Sequence, residues 1–234
     1  MKVLAFDTST KYLTIALLEG GQVVSEYHEE AGILHSKILI TAVDGVLRSA
    51  GCGIKEIELV CVGTGPGSFT GLRIASATVK GFAAVTGVKV KGVPTIDAIA
   101  LRPGIENVRV APLLDARKGK VYSCFYRILD GELIRLSDYM LLTIKDLASM
   151  IEHETVFLGD GLESYGDHLR GVTSAIPRRD LDWYPRASDI GMLGIRMSRD
   201  GYDAPEDLEP MYLHSRECNI TVPGKKQIDL ESGD

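Results

Sequence analysis

The chain has 234 residues, 45% of them apolar, enough for one domain or two modest ones with a real core. Its formal net charge of −6 makes it a poor candidate for gripping a polyanion unaided. It does not exclude work on nucleic acid beside a basic partner.

Cys52, Cys61, Cys124 and Cys218 form no C-x-x-C and no zinc-type spacing, and Cys61 falls in an apolar strand pattern. The opening MKVLAFDTST, with one lysine and an early aspartate, does not read as a secretion signal. No apolar run reaches about 18 residues, so no membrane span is expected. A reduced, cytoplasmic setting is the expectation.

Residues 3–6 are apolar and β-prone and read as a strand, closed by the polar turn Asp7-Thr8-Ser9-Thr10. Residues 13–18 and 22–28 read as two further strands about the turn Gly20-Gly21. Their connections are too short for crossovers, which predicts an antiparallel meander. From His35, apolar residues at 38, 39, 42, 43, 46, 47 and 50 recur at helical spacing until Gly51. Residues 57–62 read as a strand covered on both faces. The segment GTGPGSFTG follows, then a helix over residues 70–85 and a strand over 88–93.

The order then recurs. Residues 108–114 read as a strand ending at Asp115, and 120–128 as the next. Asp130-Gly131 marks a hairpin from which 132–139 pairs back. A helix near 144–151 and a strand over 155–158 lead into Gly159-Asp160-Gly161. Each half reads strand, aspartate, strand, strand, helix, strand, glycine turn. Such a repeat predicts two lobes flanking a cleft, with Asp7 and Asp115 facing it. Residues 171–186 lack periodicity and are expected to cross the surface, and 188–197 read as a short helix.

The loop at 63–71 packs four glycines and one proline into nine residues. It is not a Walker A loop, because no lysine follows Gly71, and G-x-G-x-x-G fails from both Gly63 and Gly65. Ser68 lacks the flanking glycines of a nucleophile elbow. Two readings stay open. The backbone amides around Gly65, Gly67 and Ser68 could bind an anion at a helix start. Alternatively, the glycines only supply a tight turn. Thr8 and Ser9 carry the same ambiguity between phosphate contact and turn capping. Asp7 and Asp115 are the carboxylates with a shared rationale, and together could hold Mg²⁺ through water. Arg117, Lys118 and Lys120 add charge beside them. The histidines His28, His35, His153, His168 and His214 form no H-x-x-x-H pair.

LAFDTST, GTGPGSFTGLRIASATVKGFA, LLDARKGKVY and PMYLHS together resemble the TsaB (YeaZ) family, the bacterial partner subunit in making threonylcarbamoyladenosine on tRNA. The resemblance runs from Met1 to about residue 216. It implies an α/β, actin/Hsp70-like (ASKHA, ribonuclease H-like) duplicated fold. Residues 1–100 would form the N-terminal lobe, 101–222 a reduced C-terminal lobe, and 223–234 a frayed tail. It implies no catalysis by this chain itself, and no cofactor of its own, with ATP or ADP and Mg²⁺ to be sought at a partner interface. The implied partners are the TsaD paralogue, the TsaE ATPase, tRNA through them, and a second copy of this chain when alone. Docking would use the two N-lobe helices, with His35, Leu39, Val43, Val46, Thr70, Arg73, Ala77, Lys80 and Gly81 as contact candidates. The family's P-x-Y-L-R tail departs here, with His214 in place of arginine. The rival expectations are an ASKHA-type ATPase or kinase acting through Asp7 and Asp115, and, last, a glycoprotease-like peptidase.

Overall fold

The computed structural model describes residues 1–101, 107–178 and 183–213. Lys2–Asp7 (β1), Tyr12–Glu19 (β2) and Gln22–Glu30 (β3) form the expected antiparallel meander. Leu59–Gly63 (β4) lies parallel to β1 and Lys89–Val93 (β5) parallel to β4, giving the order β3-β2-β1-β4-β5.

Alternation along β1 and β2 sorts the apolar residues onto two faces. Leu4, Phe6, Leu13, Ile15 and Leu17 pack under two helices, His35–Ser49 (α1) and Phe69–Thr86 (α2). Val3, Ala5, Ala16 and Leu18 pack against a helix from far along the chain, Ala187–Met197. Both faces are therefore buried, which explains why these strands read as unbroken apolar runs. Ser68 caps α2 by accepting the Gly71 amide, and Gly87 ends it at φ 69°.

The second sheet repeats the plan. Arg109–Asp115 (β6) pairs antiparallel with Lys120–Ser123 (β7). Tyr126–Leu129 (β8) and Glu132–Arg135 (β9) form the hairpin at Asp130-Gly131. Met140–Thr143 (β10), Thr155–Leu158 (β11) and Ala175–Pro177 (β12) complete the order β10-β7-β6-β11-β12. The two sheets match strand for strand, β1 with β6, β2 with β7, β3 with β10, β4 with β11 and β5 with β12. This is the duplicated actin/Hsp70-like arrangement, and Asp7 and Asp115 end corresponding strands.

The expected strand over 120–128 is two strands. The ladder breaks at Cys124 and Phe125, where the Phe125 amide donates to Ser137 Oγ and its carbonyl accepts the Leu136 amide. β7 continues the main sheet while β8 leaves it to pair with β6 higher up and with β9. The third strand of the second unit is consequently β10, not the segment 132–139. Ile144–Ser149 (α4) matches expectation, and so does the helix Ala187–Met197 (α6). Among the described residues, two short helices, Thr95–Ala100 (α3) and Gly161–Tyr165 (α5), and four 3-10 turns, at Ile54–Glu56, Gly166–Leu169, Ser198–Asp200 and Pro205–Asp207, lie outside the expected set.

Residues 187–197 and Leu208, expected in the second lobe, pack on the first. α6 lies across β1, β2, β4 and β5, and Leu208 joins the core under α1 and α2. The tail over 223–234, together with His214 and Cys218, lies outside the described residues.

α6 approaches the sheet so closely that a Cβ on Gly194 would collide with Cys61 Sγ and Cβ. Gly194→Val is expected to destabilise the chain by about 1–3 kcal/mol, read as a lower midpoint in urea with an unchanged m-value.

Candidate functional site: the inter-lobe cleft and the α1–α2 face

The turn after β1 is internally bonded. Asp7 is fully buried. Its Oδ1 accepts the Ser9 amide at 2.7 Å and Ser9 Oγ at 2.7 Å, and its Oδ2 accepts Thr95 Oγ1 at 2.6 Å. Burial pushes the Asp7 carboxyl above its ordinary range, and the hydroxyl and amide donors from Thr95 and Ser9 oppose that rise. Thr8 Oγ1 donates to the Gly71 carbonyl at 2.7 Å, so it ties the turn to the start of α2.

The glycine loop closes onto this turn. The Ser68 amide donates to the Ser9 carbonyl at 2.7 Å, and the Gly65 amide to Thr95 Oγ1 at 3.1 Å. A Cβ at Gly63 would strike the Asp7 carboxyl, one at Gly67 the Ser9 carbonyl, and one at Gly71 the Thr8 carbonyl. Gly65 holds φ +99°. Of the four glycines only Gly65 has the positive φ of a tight turn; at Gly63, Gly67 and Gly71 the reason is close approach, and what approaches is the chain itself.

Between the lobes lies a cleft of about 720 Å³. Ser9, Thr10, Lys11 and Ser68 line one wall, with the Tyr184 ring packed beside Lys11 and Tyr12, and Asp115, Arg117 and Asp160 line the other. Asp7 is not among its walls, which corrects the expectation that both repeat aspartates face it: Ser9 and Thr95 cover its two oxygens. Asp115 is half-buried, accepting the Arg117 amide at 2.8 Å and Tyr165 OH at 3.3 Å, with Arg117 Nη1 3.5 Å away. Asp160 Oδ1 accepts the Asp115 amide at 3.1 Å. Burial raises the Asp160 carboxyl to about 6, with the Asp115 charge adding to the rise. A water-bridged Mg²⁺ between Asp7 and Asp115 does not fit, because Asp7 offers no exposed oxygen. Among the described residues no cluster of three or more His, Cys, Asp or Glu could hold a metal ion.

The helix pair splits the predicted contact residues into two groups. Leu39, Val43 and Val46 are buried in the first-lobe core. His35 is buried too, its ring nitrogens 2.7 Å from the Gly32 carbonyl and 3.3 Å from that of Tyr12. Leu39, Val46 and His35 are thus turned into the lobe, while Val43, though buried, lies in the floor of the groove between the helices. Helical periodicity marks the stripe that faces the sheet, so contact residues drawn from it are core residues. On α2, Thr70, Arg73, Ala77 and Gly81 are exposed, and half-buried Lys80 donates to the Glu206 carbonyl at 3.1 Å. The apolar residues that do reach solvent here are others: Ile33 (95% exposed), Ile40 (56%), Phe69 (53%) and Val85 (81%). Their signal in the sequence is apolar character out of phase with the core stripe. Ile40, Leu47, Ile54, Phe82 and Val85 line a groove of about 390 Å³ between the helices.

Asp160 yields a pH prediction. A carboxyl whose folded value is raised binds its proton more tightly when folded, so stability falls as pH rises from about 4 through about 6. Asp160→Asn, which keeps an acceptor for the Asp115 amide, is expected to raise stability by on the order of 1–3 kcal/mol at pH 7.5 and by nothing below pH ~4. Thermal melts across that window check it.

The family model described as TsaD, tRNA N6-adenosine threonylcarbamoyltransferase, matches residues 22–163, more than half of the chain. The tRNA threonylcarbamoyladenosine biosynthesis protein TsaB of Escherichia coli is 29% identical, with 97% of this chain and all of that protein covered. The TsaB of Bacillus subtilis is 27% identical, with 93% and 96% covered. The solved structure of YeaZ from Pseudomonas aeruginosa superposes with a TM-score of 0.79 at 29% identity, covering 91% of this chain and 99% of that one. The two lobes, the cleft and the glycine loop closed upon itself thus belong to a chain of the threonylcarbamoyltransferase family, in its TsaB (YeaZ) branch.

Proposed function

We propose that this chain acts in threonylcarbamoyladenosine modification of tRNA as a non-catalytic docking subunit. The curated relatives from Escherichia coli and Bacillus subtilis carry the pathway in their names. One observation carries the non-catalytic reading: both oxygens of Asp7 and the amides of Gly65 and Ser68 are bonded within the chain. What the first lobe leaves open instead is the α1–α2 face, with Ile40, Phe69 and Val85 exposed on the helices, Ile33 and Leu34 exposed just before α1, and the small residues Ala77 and Gly81. Such a face suits close approach of another helix pair.

In this reading the partner is the TsaD-type transferase, with the TsaE ATPase joining the assembly and tRNA reached through them. A second copy of this chain covers the face when the partner is absent. ATP or ADP with Mg²⁺, where required, belongs to the partner interface. The setting is the cytoplasm; among the described residues no helix is long and apolar enough to cross a membrane. The rival reading, an ATPase or kinase, draws on the roomy cleft with its hydroxyl-bearing wall.

Reconstituting the modification reaction from purified components with and without this chain tests the proposal. Product is expected only with it, while the isolated chain turns over no ATP; steady Mg²⁺-dependent hydrolysis by the chain alone would favour the rival. Gly81 is exposed, and a Cβ placed on it would meet no atom within 4 Å. Gly81→Leu is therefore expected to weaken transferase binding roughly tenfold or more while leaving the melting temperature unchanged.

A further inference from the structure

α2 reads FTGLRIASATVKGFAAVT: Arg73 and Lys80, and no aspartate or glutamate in 18 residues. That is unusual in a chain with 32 acidic and 26 basic residues. No acid in the first turn offsets the partial positive charge of the helix start. On the neighbouring helix, Asp44 is already paired with Arg48 at 2.9 Å.

At the head of α2, Arg73 is held in place. Its guanidinium carbon lies 3.8 Å from the Phe69 ring centroid, and its Nε donates to Tyr212 OH at 3.1 Å. The Phe69 and Tyr212 rings pack at 5.1 Å, tilted by 38°. Tyr212 is fixed in turn by the adjoining Met211 amide, which donates to the Thr64 carbonyl at 2.8 Å. Arg73 stays exposed, and among the described residues no carboxylate is paired with it. A guanidinium stacked on one ring and bonded through Nε has lost much of its rotamer freedom, and its fork matches a carboxylate. Aromatic and arginine side chains in such clusters are what anchor interfaces.

Resting on the docking reading above, we propose that Arg73, pre-oriented by Phe69 and Tyr212, is the residue by which the α2 face selects a partner helix presenting a carboxylate. Charge complementarity is the ground for choosing that occupant. A second copy meeting this face with α2 against α2 sets one acid-free helix against another, so like charges oppose each other there, and the one α1 carboxylate lining the groove, Asp44, is held by Arg48. An acid-bearing helix of a different chain supplies the missing sign.

Binding of the TsaD-type subunit from the same organism, measured by calorimetry at low and high salt, tests this, with sedimentation velocity following self-association. Arg73→Ala is expected to weaken the hetero-complex by about 30-fold or more and to flatten its salt dependence. Tyr212→Phe, which removes only the Nε partner, is expected to weaken it by about threefold. Arg73→Ala self-association is expected to be unchanged or stronger. If Arg73→Ala binds within twofold of the wild type while Gly81→Leu does not bind, the docking face stands and the anchor falls. If Arg73→Ala instead loses self-association and keeps the hetero-complex, the occupant is a second copy and the proposal is overturned. If the wild-type chain does not bind the subunit at all, the docking reading fails and the anchor with it.

Discussion

A single buried carboxyl organises the first lobe. Burying a carboxyl group without partners costs several kcal/mol, and Asp7 is tolerated at full burial because Ser9 and Thr95 supply three donors. Those donors come from different places in the chain. Ser9 is in the turn after β1, and Thr95 opens α3, 88 residues on. Thr95 Oγ1 also accepts the Gly65 amide, so the glycine loop hangs on the same atom that satisfies Asp7. The start of α2 is thereby fixed relative to the sheet. The helix face offered to solvent inherits its position from this knot.

The knot extends into the second lobe. Two residues beyond Thr95, Asp97 accepts Tyr126 OH at 2.6 Å and Tyr139 OH at 3.0 Å. Both tyrosines belong to the second lobe, on β8 and just before β10. Burial raises the Asp97 carboxyl, and the two phenol donors oppose that rise; burial likewise raises both phenols, with the Asp97 charge adding to the rise. On the other face, the Ala187 amide at the start of α6 donates to Thr14 Oγ1 at 2.9 Å, and Thr14 sits opposite Asp7 in the β1–β2 ladder. Two lobes tied through a six-residue helix and a returning helix form a braced frame around the cleft.

Much of this frame is legible in residue spacing. Period-two and period-3.6 patterns locate β1 to β5, α1 and α2, and the repeated strand–aspartate–hairpin order exposes the duplication. The departures have physical causes. The break at Cys124-Phe125 lies inside a continuous β-prone run, and only the Ser137 hydroxyl and the Leu136 amide, distant in sequence, mark it. β10 is four residues of a longer apolar stretch that flows into α4, so it offers no period of its own. α6 has a helical period, but periodicity does not say which sheet a helix covers. For the site, composition places glycines and aspartates correctly but cannot tell a carboxyl facing solvent from one walled in by its own hydroxyl neighbours.

That last distinction separates the two halves of the repeat. Asp7 and Asp115 end equivalent strands, yet one is sealed by Ser9 and Thr95 while the other remains half-buried beside Arg117 and Tyr165. A cation shared across the cleft needs oxygens from both walls, since hard divalent ions take several oxygen ligands at once. Here the first wall offers the hydroxyls of Ser9, Thr10 and Ser68, and its carboxylate is turned inward. Placing a donor beside each Asp7 oxygen is a local change, but its effect is not local. It withdraws a carboxyl from the cleft and uses it to pin the loop that launches α2. The same aspartate that in a symmetric pair would face a ligand is thereby made the support of an outer surface, which is why the glycine loop is kept dense with its Gly65 and Ser68 amides bonded within the chain.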